Sequence, residues 1–215
     1  MKFTRIIPAE EKVAGFRELE TLDEPWISGY METMGRKIPV LKTKLSVSDQ
    51  LGALAVRCNL GRNRYSVLPG LYATGKPDQS SPVLITANYK LSLDSLRKEL
   101  SSTAAWILVL DTKGVNVWCA AGKGSFGTSE LAGKIRATKI VELVEHRRLV
   151  LPQLGAVGVS APELAKLTGF RVIWGPVRAA DLPAFMDRGM KKDESMRRVD
   201  FGLVDRLKLV PMELV

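Results

Sequence analysis

Residues 106–128, WILVLDTKGVNVWCAAGKGSFGT, contain the features of this sequence that decide its fold. The stretch opens with an apolar run that ends at Asp111, and such a run is typical of a buried strand in a parallel sheet. It then passes through a turn at Lys113-Gly114 and closes in a glycine-rich segment. One of the two cysteines of the chain lies between a tryptophan and these glycines, next to the predicted edge of the sheet.

Strands and helices are predicted to alternate on both sides of this stretch. The apolar segments PVLITAN, WILVLD, VNVW, KIVELV, RLVLP and RVIWGP read as strands. Helices are expected after Asn88 and over about 129–137, 161–168 and 180–189. This pattern predicts an α/β fold with a doubly wound, mainly parallel sheet over residues 81–215, and residues 1–80 are expected to form a loosely structured N-terminal extension that packs on this core.

Ligands of doubly wound sheets bind beyond the carboxyl ends of the strands, so the loops at that edge are the candidate site. Three loops offer small residues, backbone N–H groups or amide side chains there. They contribute Thr86 and Asn88, then Gln153, Leu154 and Gly155, and finally Gly175 and Arg178.

Composition limits the kinds of site that this chain can build. The net charge of +9 favours an anionic partner, which nucleic acid, a membrane surface or a phosphorylated cofactor could provide. Two cysteines and one histidine are too few for a disulfide framework or a closed zinc site. The sequence has no signal peptide and no apolar run of about 20 residues, so we expect a soluble, cytoplasmic chain with reduced thiols.

The glycines at positions 122, 124 and 127 match G-x-G-x-x-G, which is found in dinucleotide-binding folds. Glu145 follows at about the distance of a ribose-binding acid. The motif does not lie at the start of its domain, however, because two predicted strands precede it. The same glycines do not fit the P-loop pattern G-x-x-x-x-G-K-[ST]. A nucleotide-dependent oxidoreductase therefore remains an alternative.

Cys119 has two interpretations on the residues alone. Most free cysteines are small buried hydrophobes, and Trp118 would then be a core residue beside it. A short turn through Ala120 and Ala121 could instead present Cys119 outward as a nucleophile or a soft metal ligand. The only histidine, His146, is expected to be a surface residue, and Cys58 a buried helix residue.

The segment Asn116-Val117-Trp118-Cys119-Ala120-Ala121-Gly122-Lys123 resembles the cap-helix signature of the corrinoid protein of microbial mercury methylation. SPVLITANYKLS, HRRLVLPQLGA and RVIWGPVRAADLPAF resemble the same family, over roughly residues 50–215. The domain is more distantly similar to the corrinoid-binding domain of the corrinoid iron–sulfur protein large subunit.

This resemblance implies a Rossmann-like domain that binds a cobalamin-type corrinoid. Cys119 would be the lower axial ligand of the cobalt and the catalytic residue. The cap turn that carries it would consist of Asn116, Val117, Trp118, Ala120, Ala121, Gly122 and Lys123. The loops named above would surround the edge of the corrin and its tail.

The implied activity is that of a corrinoid-dependent methyltransferase, which passes a methyl group from a methyltetrahydrofolate-linked donor to Hg(II). The implied partner is a small ferredoxin with two [4Fe–4S] clusters, and no nucleic acid is expected. Members of that family continue into a C-terminal membrane domain, so the chain is expected to stop before it and to work at the cytoplasmic face of the membrane. A methyl carrier that serves another acceptor, as in acetyl-CoA synthesis, is the alternative from the resemblance.

Overall fold

The computed structural model describes residues 19–199 and 202, and these build a seven-stranded sheet with helices on both of its faces. The strands are β1 (Ile27–Thr33), β2 (Arg36–Leu41), β3 (Gly70–Thr74), β4 (Val83–Ala87), β5 (Ala105–Leu110), β6 (Arg148–Leu151) and β7 (Arg171–Trp174). The helices are α1 (Val47–Arg57), α2 (Lys90–Arg97), α3 (Val117–Gly122), α4 (Thr128–Thr138), α5 (Ile140–Leu143), α6 (Ala161–Thr168) and α7 (Leu182–Asp187). The predicted α/β class is confirmed.

The order of the strands across the sheet is β1-β2-β3-β5-β4-β6-β7. β4 pairs with β5 and β6 in parallel, and β6 pairs with β7 in parallel, whereas β3 runs antiparallel to β5. The carboxyl ends of β4, β5, β6 and β7 therefore meet at one edge, which we call the carboxyl edge. This is the edge that the sequence predicted for the site.

Alternate residues of β5 face opposite sides of the sheet and enter two separate cores. Trp106, Leu108 and Leu110 pack with α3, α4, α5 and α6, while Ile107 and Val109 pack with α2 and α7. Burial on both faces explains why β5 reads as a continuous apolar run rather than as an alternating one. Among the described residues, no helix has the length and apolar character needed to cross a bilayer.

Residues 19–80 contribute three strands to this sheet, where an extension that packs on the sheet was expected. β1 and β2 form an antiparallel hairpin, and β2 then pairs in parallel with β3. The hairpin turns through Met34 and Gly35, both with positive φ, at 50° and 71°. Two successive positive φ values give the tight connection that matches the twist of a two-stranded ribbon.

Two predicted strands are wrong. VNVW does not form a strand, because its last two residues begin α3, and most of KIVELV forms the short helix α5. Short apolar segments fit a strand and a buried helical turn equally well, so periodicity alone could not separate them. Cys58 is also not a buried helix residue: it follows the last residue of α1 and is half-buried.

A buried cluster of charges fixes α1 to α2 beside the end of β4. Lys90 Nζ lies 2.8 Å from Asp49 Oδ1 and 2.7 Å from Asp94 Oδ1. The Arg97 guanidinium contacts the same two carboxylates, at 2.8 Å and 2.7 Å, and also donates to the Lys42 carbonyl. Two cations and two carboxylates balance each other, which makes burial of the four charges tolerable.

Burial raises the pKa of the Asp49 carboxyl, but hydrogen bonds from Lys90, Ser46 and Arg97 outweigh burial and hold the pKa well below its usual range. Asp49 therefore stabilises the fold at pH values above about 4, the ordinary Asp pKa, and this contribution is lost as the pH falls below that value.

We predict that Asp49→Asn lowers the free energy of unfolding at pH 7 by about 3 kcal/mol, because it leaves two buried cations with one carboxylate. The variant should also lose less stability than the wild type between pH 5 and pH 3, as measured by urea unfolding at each pH. Asp187→Asn, at an exposed carboxylate, is the control. An equal acid dependence in Asp49→Asn and the wild type would contradict this prediction.

Candidate functional site

Helix α3 presents Cys119 to solvent at the carboxyl edge. The Asn116 side chain caps the helix, since its Oδ1 accepts a hydrogen bond from the Cys119 backbone N–H at 2.9 Å. Ala120 and Ala121 face the core and are buried, whereas the Cys119 side chain is exposed. The sequence left open whether Cys119 is buried or presented outward by a short turn, and the structure shows it presented outward.

Close packing beneath α3 holds this short helix against the loop after β6. A Cβ at Gly158 would lie 2.1 Å from the Phe126 carbonyl oxygen and 3.0 Å from the Ala121 Cα, so only glycine allows this approach. Phe126 itself is fully buried and also packs against Gly155. The sequence analysis missed this role of Phe126, which a single aromatic residue inside a glycine-rich segment could have indicated.

The glycines of the G-x-G-x-x-G match do not form a dinucleotide turn. Gly122 ends α3, so the motif follows a helix, whereas the nucleotide fingerprint follows a strand directly. A Cβ at Gly127 would lie 2.8 Å from the Gly124 carbonyl oxygen, which gives that glycine a packing role. A Cβ at Gly122 or Gly124 would meet nothing within 4 Å, so the surface around them is open.

Asn88 fixes the loop that leads from β5 to α3. Its Oδ1 accepts hydrogen bonds from the Thr112 and Gly114 backbone N–H groups, both at 3.0 Å. The Thr112 hydroxyl lies 2.8 Å from the same Oδ1 and 2.6 Å from the Val115 carbonyl oxygen, and its one proton can be donated to either acceptor. Both Asn88 and Thr112 are buried. The Asn88 amide, predicted as a cofactor contact, is thus occupied by hydrogen bonds within the protein.

Asp111, at the end of β5, is part of the same loop. Its backbone N–H donates to Glu130 Oε1 at 3.0 Å, which ties the loop to α4. Burial raises the pKa of the Asp111 carboxyl, but the hydrogen bonds and charge of Lys113 outweigh it, so the pKa lies below its ordinary value. Asp111 is therefore a carboxylate at neutral pH.

A cavity of about 110 Å³ opens between the strand ends and α3. Its lining includes Thr86 of β4, Val117 of α3, Pro152 after β6 and Gly175 after β7. The structure thus brings the three predicted loops and the start of the cap turn together around one space. Most of the other lining side chains are apolar.

The remaining predicted loop residues are placed differently. Gln153 accepts a hydrogen bond from the Lys192 ammonium, and Leu154 beside it is half-buried. Gly155 is buried against Phe126, and Arg178 is exposed at the end of its loop. None of these four residues lines the cavity, although each follows a lining residue in its loop, Pro152 or Val177.

Trp118 does not belong to the core. More than half of its surface, 56%, is exposed, in contrast to 2% for Trp106 of β5. The interpretation of Trp118 as a core residue is therefore wrong. An exposed indole beside an exposed thiol gives α3 an open apolar surface next to Cys119.

His146 cannot act on Cys119. Its Nε2 lies 2.9 Å from the Ser81 carbonyl oxygen, just before β4, and this places it at the opposite edge of the sheet from α3. Cysteine–histidine catalysis therefore has no base at this site. Within residues 19–199 and 202, no three His, Cys, Asp or Glu side chains lie close enough together to hold a metal ion by themselves.

The sequence matches proteins of acetyl-CoA metabolism. The family model described as CO dehydrogenase/acetyl-CoA synthase delta subunit matches residues 44–186. The acetyl-CoA decarbonylase/synthase complex subunit gamma of Methanopyrus kandleri is 35% identical over 129 residues, which are 59% of this chain and 28% of that protein. The same subunit of Archaeoglobus fulgidus is 34% identical over 135 residues, 62% of this chain and 28% of the relative.

A third relative carries the word corrinoid in its name. The corrinoid/iron-sulfur protein large subunit of Moorella thermoacetica is 34% identical over 113 residues, which are 52% of this chain and 25% of that protein. The chain therefore spans about a quarter of the length of these curated relatives.

These matches correct the family assigned from the sequence. The family model and the relatives are proteins of acetyl-CoA synthesis and cleavage, so the assignment to mercury methylation is wrong. Hg(II) as the substrate and membrane association were inferred only from that assignment, so neither is supported. The similarity described as distant, to the corrinoid iron–sulfur protein large subunit, is the one that holds.

We predict that Asn88→Ala lowers the free energy of unfolding by about 2 to 3 kcal/mol, because it leaves buried donors of Thr112 and Gly114 without an acceptor. Amide hydrogen exchange, read by NMR, should become faster from Thr112 to Cys119. Gln50→Ala, at an exposed amide of α1, is the control. Unchanged exchange in this segment would show that Asn88 does not hold the loop.

We also predict that Trp118→Ala costs less than about 1 kcal/mol, since the indole is largely exposed. Trp106→Ala should cost about 3 to 5 kcal/mol, as expected for an aromatic residue removed from a packed core. Urea unfolding of the two variants makes the comparison. A large loss in Trp118→Ala would contradict the position of the indole.

Proposed function

The chain belongs to the CO dehydrogenase/acetyl-CoA synthase delta subunit family, and from this membership we propose that its carboxyl edge binds a cobalamin-type corrinoid and carries methyl groups in acetyl-CoA metabolism. The observation that carries the proposal is the exposed Cys119 on the capped helix α3. The name of the Moorella thermoacetica relative supports the choice of a corrinoid.

The residues around Cys119 suit a flat macrocycle. Trp118 is exposed, and an added Cβ at Gly122 would meet nothing within 4 Å, so among the described residues α3 is open at both of these positions. Cobalt held by a corrin needs only an axial ligand from the protein, which removes the need for a cluster of metal ligands. A cysteine sulfur is a soft donor that suits a transition metal.

A corrinoid supplies a cobalt centre that can accept and release a methyl group. In our proposal Cys119 would hold the cobalt through its sulfur and would be the catalytic residue. Asn116 fixes the start of the turn through its hydrogen bond to the Cys119 N–H, while Ala120 and Ala121 anchor the turn to the core. The protein would thus position the sulfur, and the bound corrinoid would supply the methyl-transfer chemistry.

The rest of the cap turn and the surrounding loops would hold the edge of the corrin and its tail. Val117, Thr86 and Gly175 line the cavity beside α3, whose mainly apolar lining suits an aromatic group of the tail. Gln153 and Leu154 follow the lining residue Pro152, Arg178 follows the lining residue Val177, and Lys123 lies at the end of α3. Asn88 and Gly155 would act indirectly, by holding these loops in place.

The proposed partners follow from the chemistry. A methyltetrahydrofolate-linked protein would supply the methyl group, and a ferredoxin-like protein with two [4Fe–4S] clusters would keep the cobalt in a low oxidation state. The two cysteines of this chain cannot supply the four thiolates that one cluster needs. The iron–sulfur centre therefore belongs to a partner or to sequence outside this chain.

We predict that Cys119→Ala removes the sulfur-to-cobalt charge-transfer absorption of the corrinoid-loaded protein and most of its methyl transfer. The free energy of unfolding should fall by about 1 kcal/mol or less, because the thiol is exposed. Absorption spectra of the loaded protein and single-turnover methyl transfer make the measurement.

Cys58→Ala is the matched control, since it removes the other cysteine, beyond the end of α1. It should keep both the spectrum and the rate. Cys119→Ala protein with the wild-type spectrum and the wild-type rate would refute the role of Cys119.

A further inference from the structure

Helix α1 carries its apolar side chains on the outside. Val47, Leu51 and Leu54 are exposed by 72%, 62% and 57%. Their spacing of four and three residues places them on one face of the helix. We call these three residues the α1 stripe. Three large aliphatic side chains in a row on one surface helix are the kind of exposed patch that marks an interaction site.

The opposite face of α1 is the one that packs on the protein. Asp49 and Val56 are buried there, and Gly52 lies so close to the Tyr65 ring that an added Cβ would be 2.7 Å from the hydroxyl oxygen. The charge cluster with Lys90 therefore determines how α1 is turned. An acidic residue and a glycine face inward and the leucines face outward, which is the reverse of an ordinary amphipathic surface helix.

Exposed basic side chains lie in α1 and next to it along the chain. Arg57 is the last residue of the helix, and Lys44 and Arg64 are in the segments on either side of it. From residue 42 to residue 64 the only acidic residue is Asp49, which is buried in its ion pairs. The surface that fits here is therefore apolar with carboxylates at its border.

The α1 stripe lies on the same side of the protein as the candidate site. The Tyr65 carbonyl accepts from the Lys90 N–H at 3.0 Å, and Ser66 pairs with Tyr89, just beyond β4. Ser66 also packs on Gly114, where an added Cβ would lie 3.4 Å from the Ser66 Cβ. Gly114 leads directly into α3. A protein that covers α1 would thus reach the carboxyl edge.

We propose that the α1 stripe is the docking surface for the protein that supplies methyl groups to the Cys119 site, and that this partner presents an apolar ridge bordered by carboxylates. The inference rests on the proposed function for the identity of the partner. The geometry of α1 stands independently of it. A second copy of this chain is a poor occupant, because it would bring the same basic border against itself.

The experiment compares the wild type with Leu51→Asp/Leu54→Asp, which puts two carboxylates on the α1 stripe. Leu167→Asp is the control, since Leu167 is also exposed but lies on α6. Biolayer interferometry measures binding of each cofactor-free chain to the purified methyltransferase that uses methyltetrahydrofolate. We expect at least tenfold weaker binding for the double variant and no change for the control. Arg57→Glu should weaken binding too, and added salt should weaken wild-type binding.

A second measurement separates docking from cofactor binding. The corrinoid-loaded proteins, with their cobalt reduced chemically, are methylated either by methyl iodide or by the methyltransferase. The double variant should react like the wild type with methyl iodide and at least tenfold more slowly with the methyltransferase. Failure of the wild type to retain a corrinoid would count against the proposed function alone, because the binding measurement does not need the cofactor.

Equal binding of the methyltransferase to the wild type and the double variant would overturn the proposal. The proposal would also be overturned if the α1 stripe were found to bind a second copy of the chain or a lipid surface. A dimer in sedimentation equilibrium that the double substitution dissolves would identify a second copy as the occupant. Binding to vesicles of anionic phospholipid that the substitution abolishes would identify a lipid surface.

Discussion

The position of the candidate site depends on the hydrogen bonds that the Asn88 Oδ1 accepts from the Thr112 and Gly114 backbone N–H groups in the loop after β5. β4 and β5 are parallel neighbours, so their carboxyl ends meet, and Asn88 lies one residue beyond the end of β4. Its amide replaces backbone pairing at the point where the sheet ends. Without the Asn88 side chain, the N–H groups of Thr112 and Gly114 would lack an acceptor. The backbone of the two residues before α3 would then be less firmly held.

The same constraint links the candidate site to the remainder of the fold. Asn116 caps α3 by accepting from the Cys119 N–H, and it can do so only if the loop after β5 holds it at the start of the helix. The close approach of α3 to Gly158 likewise requires the helix to begin at this position. On the other side of the loop, Gly114 touches Ser66, which leads back to α1 and its buried charges. The Asn88 amide thus helps to fix the position of the exposed Cys119 thiol relative to the outward-facing leucines of α1.

The sequence predicted the elements whose signal is local. β4, β5, β6 and β7 are apolar runs between helices, and α6 begins and ends at the residues expected from its pattern. The segments VNVW and KIVELV were misassigned because three or four apolar residues do not distinguish a strand from a helical turn. The β1–β2 hairpin was not predicted, since a positive φ at Met34 is not a property that its side chain reveals.

The sequence predicted which strand ends meet at the carboxyl edge, but it did not predict the contacts between the loops there. Asn88 was singled out for its position after a strand, yet its partners lie 24 and 26 residues further along the chain, where no spacing rule connects them. A buried Trp118 was one of the two interpretations, because tryptophans are on average highly buried. An eight-residue motif also suggested the wrong family, whereas the match over residues 44–186 identified the right one.

The central claim is that the carboxyl edge binds a corrinoid, and the most direct measurement is retention of cobalamin by the purified chain. The protein is incubated with cobalamin, separated by gel filtration, and examined by absorption spectroscopy and cobalt analysis. We predict coloured protein that carries about one cobalt per chain. Colourless protein, with all of the cobalt in the small-molecule fraction, would contradict the account.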